Sequence, residues 1–108
     1  MTFYTTSDNL TAKDQKTNAL ATATIAAGTG QKILGTIVTY SYSAAPTGGQ
    51  IVIKDGTTAI MTVNVTGAGE KQLWLDGLES SVSATLSAEL AAGGAGIVGN
   101  VTLTGRYK

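Results

Sequence analysis

A chain of 108 residues is long enough for one domain and too short for two ordinary ones. Seven basic and seven acidic side chains cancel, and only 13% of the residues are charged, which leaves no electrostatic footprint for nucleic acid or an anionic membrane and little resistance to association. With no Cys and no His, thiolate nucleophiles, disulfides, zinc sites built from those residues and histidine bases are all excluded.

The first 18 residues stand apart. Thr5-Thr6-Ser7-Asp8-Asn9 and Lys13-Asp14-Gln15-Lys16-Thr17-Asn18 are polar, and Phe3, Tyr4 and Leu10 are the large apolar residues among them. Residues 1–18 therefore read as an extended N-terminal arm that orders against a neighbouring subunit through Phe3, Tyr4 and Leu10; a frayed terminus is the competing reading. A short helix over residues 9–16, capped by Ser7 or Asp8, has too weak a spacing to be assigned. Met1–Asp8 holds no basic stretch followed by an apolar one, and no apolar run reaches the roughly 20 residues of a membrane span. Neither an export signal nor a membrane anchor is expected.

From residue 19 to 108 the pattern is strand after strand, forming the second expected unit. The composition favours this, with 18 Thr, 14 Gly and a single Pro, because a branched Cβ suits a pleated surface. Residues 19–25 form the first predicted strand, closed by Ala27-Gly28-Thr29-Gly30. Residues 32–42 form a longer one, whose strict alternation puts Leu34, Thr36, Val38, Tyr40 and Tyr42 on one face and Ile33, Gly35, Ile37 and Thr39 on the other. After Pro46-Thr47-Gly48-Gly49, residues 50–54 and 58–65 flank Asp55-Gly56, which predicts a type I′ hairpin. Residues 71–75 make a short strand ended by Asp76-Gly77. If Leu73 and Leu75 face the core, alternation turns Trp74 outward as an interface anchor or a sugar platform; a strand buried on both faces would instead put it in the core. Residues 81–90 alternate with Val82, Ala84, Leu86, Ala88 and Leu90 inward. Beyond Gly93-Gly94-Ala95-Gly96, residues 97–107 set Val101, Leu103, Gly105 and Tyr107 against Thr102, Thr104 and Arg106.

Regular short strands with turns between them predict an all-β fold: an antiparallel jelly-roll-like β-sandwich of about seven to eight strands, with an immunoglobulin-like sandwich as the alternative. Sites for chemistry are sparse. Asp76 and Glu79 lie close in sequence but have no platform beside them for a glycosidase pair, and no D-x-D-x-D-G run supports calcium. Gly93–Gly96 lacks the Lys and the helix of a phosphate loop. Asn64-Val65-Thr66 and Asn100-Val101-Thr102 match a glycosylation pattern that chance supplies in a Thr-rich chain. Tyr4, Tyr40, Tyr42 and Tyr107 make a carbohydrate groove conceivable. No enzyme activity, catalytic residue, metal or cofactor is expected.

Ile51-Val52-Ile53-Lys54-Asp55-Gly56, Ile60-Met61-Thr62-Val63-Asn64-Val65, Leu73-Trp74-Leu75-Asp76-Gly77-Leu78, Ala84-Thr85-Leu86-Ser87-Ala88 and Ala92-Gly93-Gly94-Ala95-Gly96 before Val101-Thr102-Leu103 form a recognisable succession. Across residues 19–107 it resembles the small β-sandwich virion structural proteins of tailed bacteriophages and prophages, including capsid decoration or cement proteins. The resemblance implies a homo-oligomer, dimer or trimer, on the capsid exterior of the virion, bridging neighbouring copies of the major capsid protein. Phe3, Tyr4, Leu10 and Trp74 are the expected interface residues. A head-fibre, neck or tail component and a carbohydrate-binding or adhesin module are the alternatives.

Overall fold

The computed structural model describes residues 10–108; Phe3 and Tyr4 lie outside the described residues. Eight strands and, among these residues, no helix make up the fold: β1 (Leu10–Thr17), β2 (Ala21–Ile25), β3 (Ile33–Tyr42), β4 (Gly49–Asp55), β5 (Thr58–Val65), β6 (Gly69–Trp74), β7 (Leu86–Leu90) and β8 (Val98–Tyr107). They form two four-stranded antiparallel sheets, in the orders β1-β8-β3-β6 and β2-β7-β4-β5. Strand β4 pairs with β5, β3 with β6, β2 with β7 and β1 with β8. The chain is thus one long hairpin, turned at Gly56-Thr57 and rolled up so that its two arms cross between layers. That is a jelly roll.

The core lies between the sheets and is built by alternation. Ile33, Val38, Ile51, Ile53, Leu86, Leu90 and Leu103 are fully buried, as are Ala21 and Ala88. Each such large side chain contributes about 1.5–3 kcal/mol by leaving water. Small residues let the layers close up. Gly35 and Gly105 face each other across β3 and β8, and a Cβ on Gly105 would lie 2.7 Å from the Leu34 carbonyl oxygen.

Four features depart from strict alternation. First, the register of β3 shifts between Gly35 and Ile37. A bulge sets two residues against one and reverses the parity of everything beyond it, so Ile33 and Gly35 share the buried face with Val38, Tyr40 and Tyr42. Second, the hairpin forms with Asp55 opposite Thr58. Its central residues are Gly56 and Thr57, and Gly56 alone has positive φ, at 61°, which fits a type II′ turn rather than type I′. Asp55 ends the strand, its carboxylate accepting the Ser81 N–H at 2.8 Å and the Ser81 hydroxyl at 2.6 Å.

Third, the strand expected over 81–90 begins only at Leu86. Ser83 takes φ 60°, its N–H donates to the Gln31 carbonyl at 2.8 Å, and its hydroxyl accepts the Gly30 N–H at 2.7 Å. These bonds hold the segment as a loop, with Val82 exposed. Fourth, the stretch expected as the inner half of an arm enters the sheet: Leu10–Thr17 is β1, paired with β8 along its whole length. Over residues 10–16, the described part of the possible helix, this strand stands instead, because β8 offers a partner edge that local sequence cannot reveal.

Candidate docking surface

Strand β6 is the outer strand of its sheet, and its last residue, Trp74, is 65% exposed. The alternation that buries Leu75, with Leu73 packed against the core, turns the indole outward. The backbone beneath it is held. The Leu75 N–H donates to the Thr36 carbonyl at 3.0 Å, the Gly77 N–H to the Gly35 carbonyl at 3.2 Å, and the Gly35 N–H to the Leu78 carbonyl at 2.7 Å. The β3 bulge presents those groups to the turn, in which Asp76 and Gly77 both take positive φ.

Registers across the sheet give the surroundings. Trp74 stands opposite Ile37, which is opposite Thr104, which is opposite Thr11. The next rows are Gln72-Thr39-Thr102-Lys13 and Glu70-Ser41-Asn100-Gln15. This outward face is therefore broad and hydroxyl- and amide-rich, with Lys13, Glu70 and Arg106 as its charged residues and the indole at one corner. Beside that corner lies a pocket of about 450 Å³ lined by Leu34, Gly35, Thr36, Trp74, Asp76, Gly77 and Arg106. Asp76 and Arg106 belong to none of the ion pairs among the described residues. Trp and Arg are two of the residue types in which protein-binding hot spots are enriched.

The other expected residues fall elsewhere. Leu10 is half-buried and packs against the core. Tyr40 and Tyr42 are buried, and the Tyr107 hydroxyl donates to the Ala26 carbonyl at 2.9 Å; these three do not line an exposed groove. Glu79 does not pair with Asp76. It receives Lys108 and, at 3.4 Å, Lys32, and those ammonium groups, Lys108 foremost, hold its carboxyl below the usual range. Among the described residues no three His, Cys, Asp or Glu gather where they would hold a metal. Gly93 packs against Tyr42 and Ile97. Arg106 is the contributor that sequence reading did not single out. Its outward position on β8 was legible, but its proximity to Trp74 arises only through the β8-β3-β6 pairing.

No protein-family model and no curated protein matches the chain. Solved structures do. The chain is similar to the PRD1 vertex protein P5, with 16% identity over 93% of this chain and 97% of that one and a TM-score of 0.47. It is similar to a structure described as the triple jelly roll fold and turret assembly in an archaeal virus, with 12% identity, 93% and 29% coverage and a TM-score of 0.37. A family two carbohydrate esterase from Cellvibrio japonicus follows, with 13% identity, 91% and 35% coverage and a TM-score of 0.36. The chain spans about a third of each of the last two. A fold by itself does not assign a function, which is argued from the surface.

Proposed function

We infer that this chain is a virion structural protein of the decoration or cement type, which sits on the capsid exterior and bridges copies of the major capsid protein. The observation that carries the reading is Trp74, 65% exposed on a backbone pinned by hydrogen bonds, at the corner of a sheet face dominated by hydroxyl and amide side chains. Leaving an indole in water forgoes a large apolar contribution, and burying it under a partner recovers it. A face of Thr, Ser, Asn and Gln adds hydrogen bonds to such a contact without the desolvation cost of ions. The resemblance in strand succession supports the same role, and Phe3 and Tyr4, ahead of β1, are its proposed second anchors.

The test is co-sedimentation with shells assembled from the major capsid protein of the same genome. The parent chain pellets with shells, and Trp74→Ala and Arg106→Ala do so far less while keeping the parent's circular dichroism. Deletion of residues 1–9, which spares β1, weakens binding as well. A parent chain that stays in the supernatant, or a Trp74→Ala variant that pellets as well as the parent, overturns the reading.

A glycan-binding module is the second reading, favoured by the same pocket. A sugar ring can stack on Trp74 while Asp76 and Arg106 hydrogen-bond its hydroxyls. It predicts that Trp74 fluorescence responds to glycans and not to shells.

A further inference from the structure

Strand β5 ends its sheet: β4 pairs with one side of it, and no described strand pairs with the other. Its sequence, Thr-Ala-Ile-Met-Thr-Val-Asn-Val, holds no charge and no proline. An edge of this kind presents unpaired N–H and C=O groups as a template, and proteins ordinarily blunt it with Lys, Pro or a bulge. The other sheet ends follow that practice. Strand β1 carries Lys13, Asp14 and Lys16, and β6 carries Glu70 and Lys71. Strand β2 is short and lies against β1, the Asp14 carboxylate accepting its Thr22 N–H at 2.9 Å. On β5 the one such device is a register shift opposite Ile53 and Lys54. It falls near Ile60 and leaves Met61–Val65 regular.

The inward side of the strand is also incomplete. Met61 and Val63 are half-buried against the core, at the flank where β5 and β6 pack little against each other. Thr62 and Asn64 point the other way and are exposed.

We propose that β5 is a seam between two copies of this chain, the two β5 strands pairing antiparallel about a two-fold axis perpendicular to the sheet and joining two four-stranded sheets into one of eight. Charge identifies the occupant. The chain is neutral overall, so two copies do not repel, and no charged side chain on β5 would meet its own like across the axis. On the neighbouring β4, Lys54 is paired to Glu89 at 3.1 Å and the Asp55 carboxylate is held by Ser81. Symmetry adds a second reason. A perpendicular two-fold keeps core-facing sides together, so Met61 and Val63 of one copy adjoin those of the other and cover both open flanks. The seam is separate from the Trp74 surface and does not depend on what that surface binds.

Such a pair sets one residue opposite itself, with Cα atoms about 4.5–5.5 Å apart, within reach of a disulfide. The chain has no Cys, so single-cysteine variants report without background. The experiment takes Ile60→Cys, Met61→Cys, Thr62→Cys, Val63→Cys and Asn64→Cys through mild oxidation, with Gln72→Cys on β6 as control. The parent elutes with the mass of two copies, one β5 variant converts mostly to a disulfide dimer, and the control does not. Thr62→Lys sets like charges near each other and raises the dimer dissociation constant about tenfold or more. A monomeric parent, β5 variants no more cross-linked than the control, or a dimer indifferent to Thr62→Lys overturns the seam. So does loss of the dimer on deleting residues 1–9, which would assign the edge to that segment instead.

Discussion

The two flanks of the sandwich are built differently. Where β1 meets β2, polar groups are spent inside the chain: the Asp14 carboxylate accepts the Thr22 N–H at 2.9 Å, the Gln15 N–H at 2.9 Å and the Lys16 ammonium at 2.8 Å, and the Asn18 N–H donates to the Ile97 carbonyl at 2.9 Å. Where β5 and β6 end their sheets, little is spent. Ile60 is 38% and Trp74 65% exposed, and one outer strand carries no charge. A closed flank stabilises the monomer; an open one keeps surface in reserve for association. The open flank is where both the proposed shell-binding corner and the proposed seam fall.

The severest way to break the contrast is to remove what both flanks share. Leu103 is fully buried between the layers, and Leu103→Ala should cost about 2–5 kcal/mol through lost transfer energy and a residual cavity. Urea unfolding measures it. A cost well under about 1 kcal/mol would mean the layers can collapse onto the gap, and that the flanks rather than the core hold the sheets together.

Opposite substitutions on the two flanks sharpen it. Trp74→Ala should weaken shell binding by about 2 kcal/mol or more and leave the melting temperature nearly unchanged, since an exposed indole stabilises little in the monomer. Asp14→Asn should do the reverse, lowering the melting temperature while binding stays at the parent's level. If both variants lost stability and binding together, the division of labour between flanks would be wrong.

Tyr42 is a test between the extremes. Only 2% exposed, it donates its hydroxyl to the Ala91 carbonyl at 2.7 Å and accepts the Gln50 N–H at 3.3 Å. Tyr42→Phe should cost about 1 kcal/mol, the usual worth of a buried hydrogen bond, rising toward about 3 kcal/mol if both partners stay unsatisfied. Thermal unfolding reads this directly.

How far sequence carries depends on where each determinant lies. Alternation placed Leu86, Ala88 and Leu90 inward and grouped Val101 with Leu103 on one face, because those strands are regular and a period of two needs no knowledge of neighbours. It turned Trp74 outward only on the condition that Leu73 and Leu75 face the core, which local sequence leaves open. It misassigned the first half of β3 because one extra residue at the bulge reverses the faces, and nothing local marks Thr36 as that residue. The segment 81–85 alternates well yet is a loop, since Asp55, Gln31 and Gly30 bind it from distant parts of the chain. Leu10–Thr17 looked like an arm because its partner, β8, lies at the opposite end of the sequence. The proposed docking corner was half legible for the same reason: Trp74 stands out as the one Trp, whereas its nearness to Arg106 arises only once non-local pairing has been made, as does the edge position of β5 elsewhere on the molecule.

Acid supplies the smallest expected effect and separates the flanks once more. Three carboxyls are held below their ordinary range: Asp14 by the Lys16 hydrogen bond and then the Thr22 N–H, Asp55 by the Ser81 hydroxyl and then its N–H, and Glu79 by Lys108 foremost. A folded-state value lower than the unfolded one means that their stabilisation is complete above the unfolded range near about 4 and disappears as pH falls through the lowered values. Melting temperature should therefore be level from neutral pH down to about 5 and decline below about 4. Asp14 and Glu79 are partly exposed ion pairs, so about 1 M salt, where charge is screened within about 3 Å, should shrink their share. Asp55 is held by neutral donors, and its share should survive the salt. The acid decline should therefore be shallower in high salt for the parent and nearly flat for Asp55→Asn; a decline in the variant as steep as the parent's would place the acid-sensitive contact elsewhere than the Asp55–Ser81 tie.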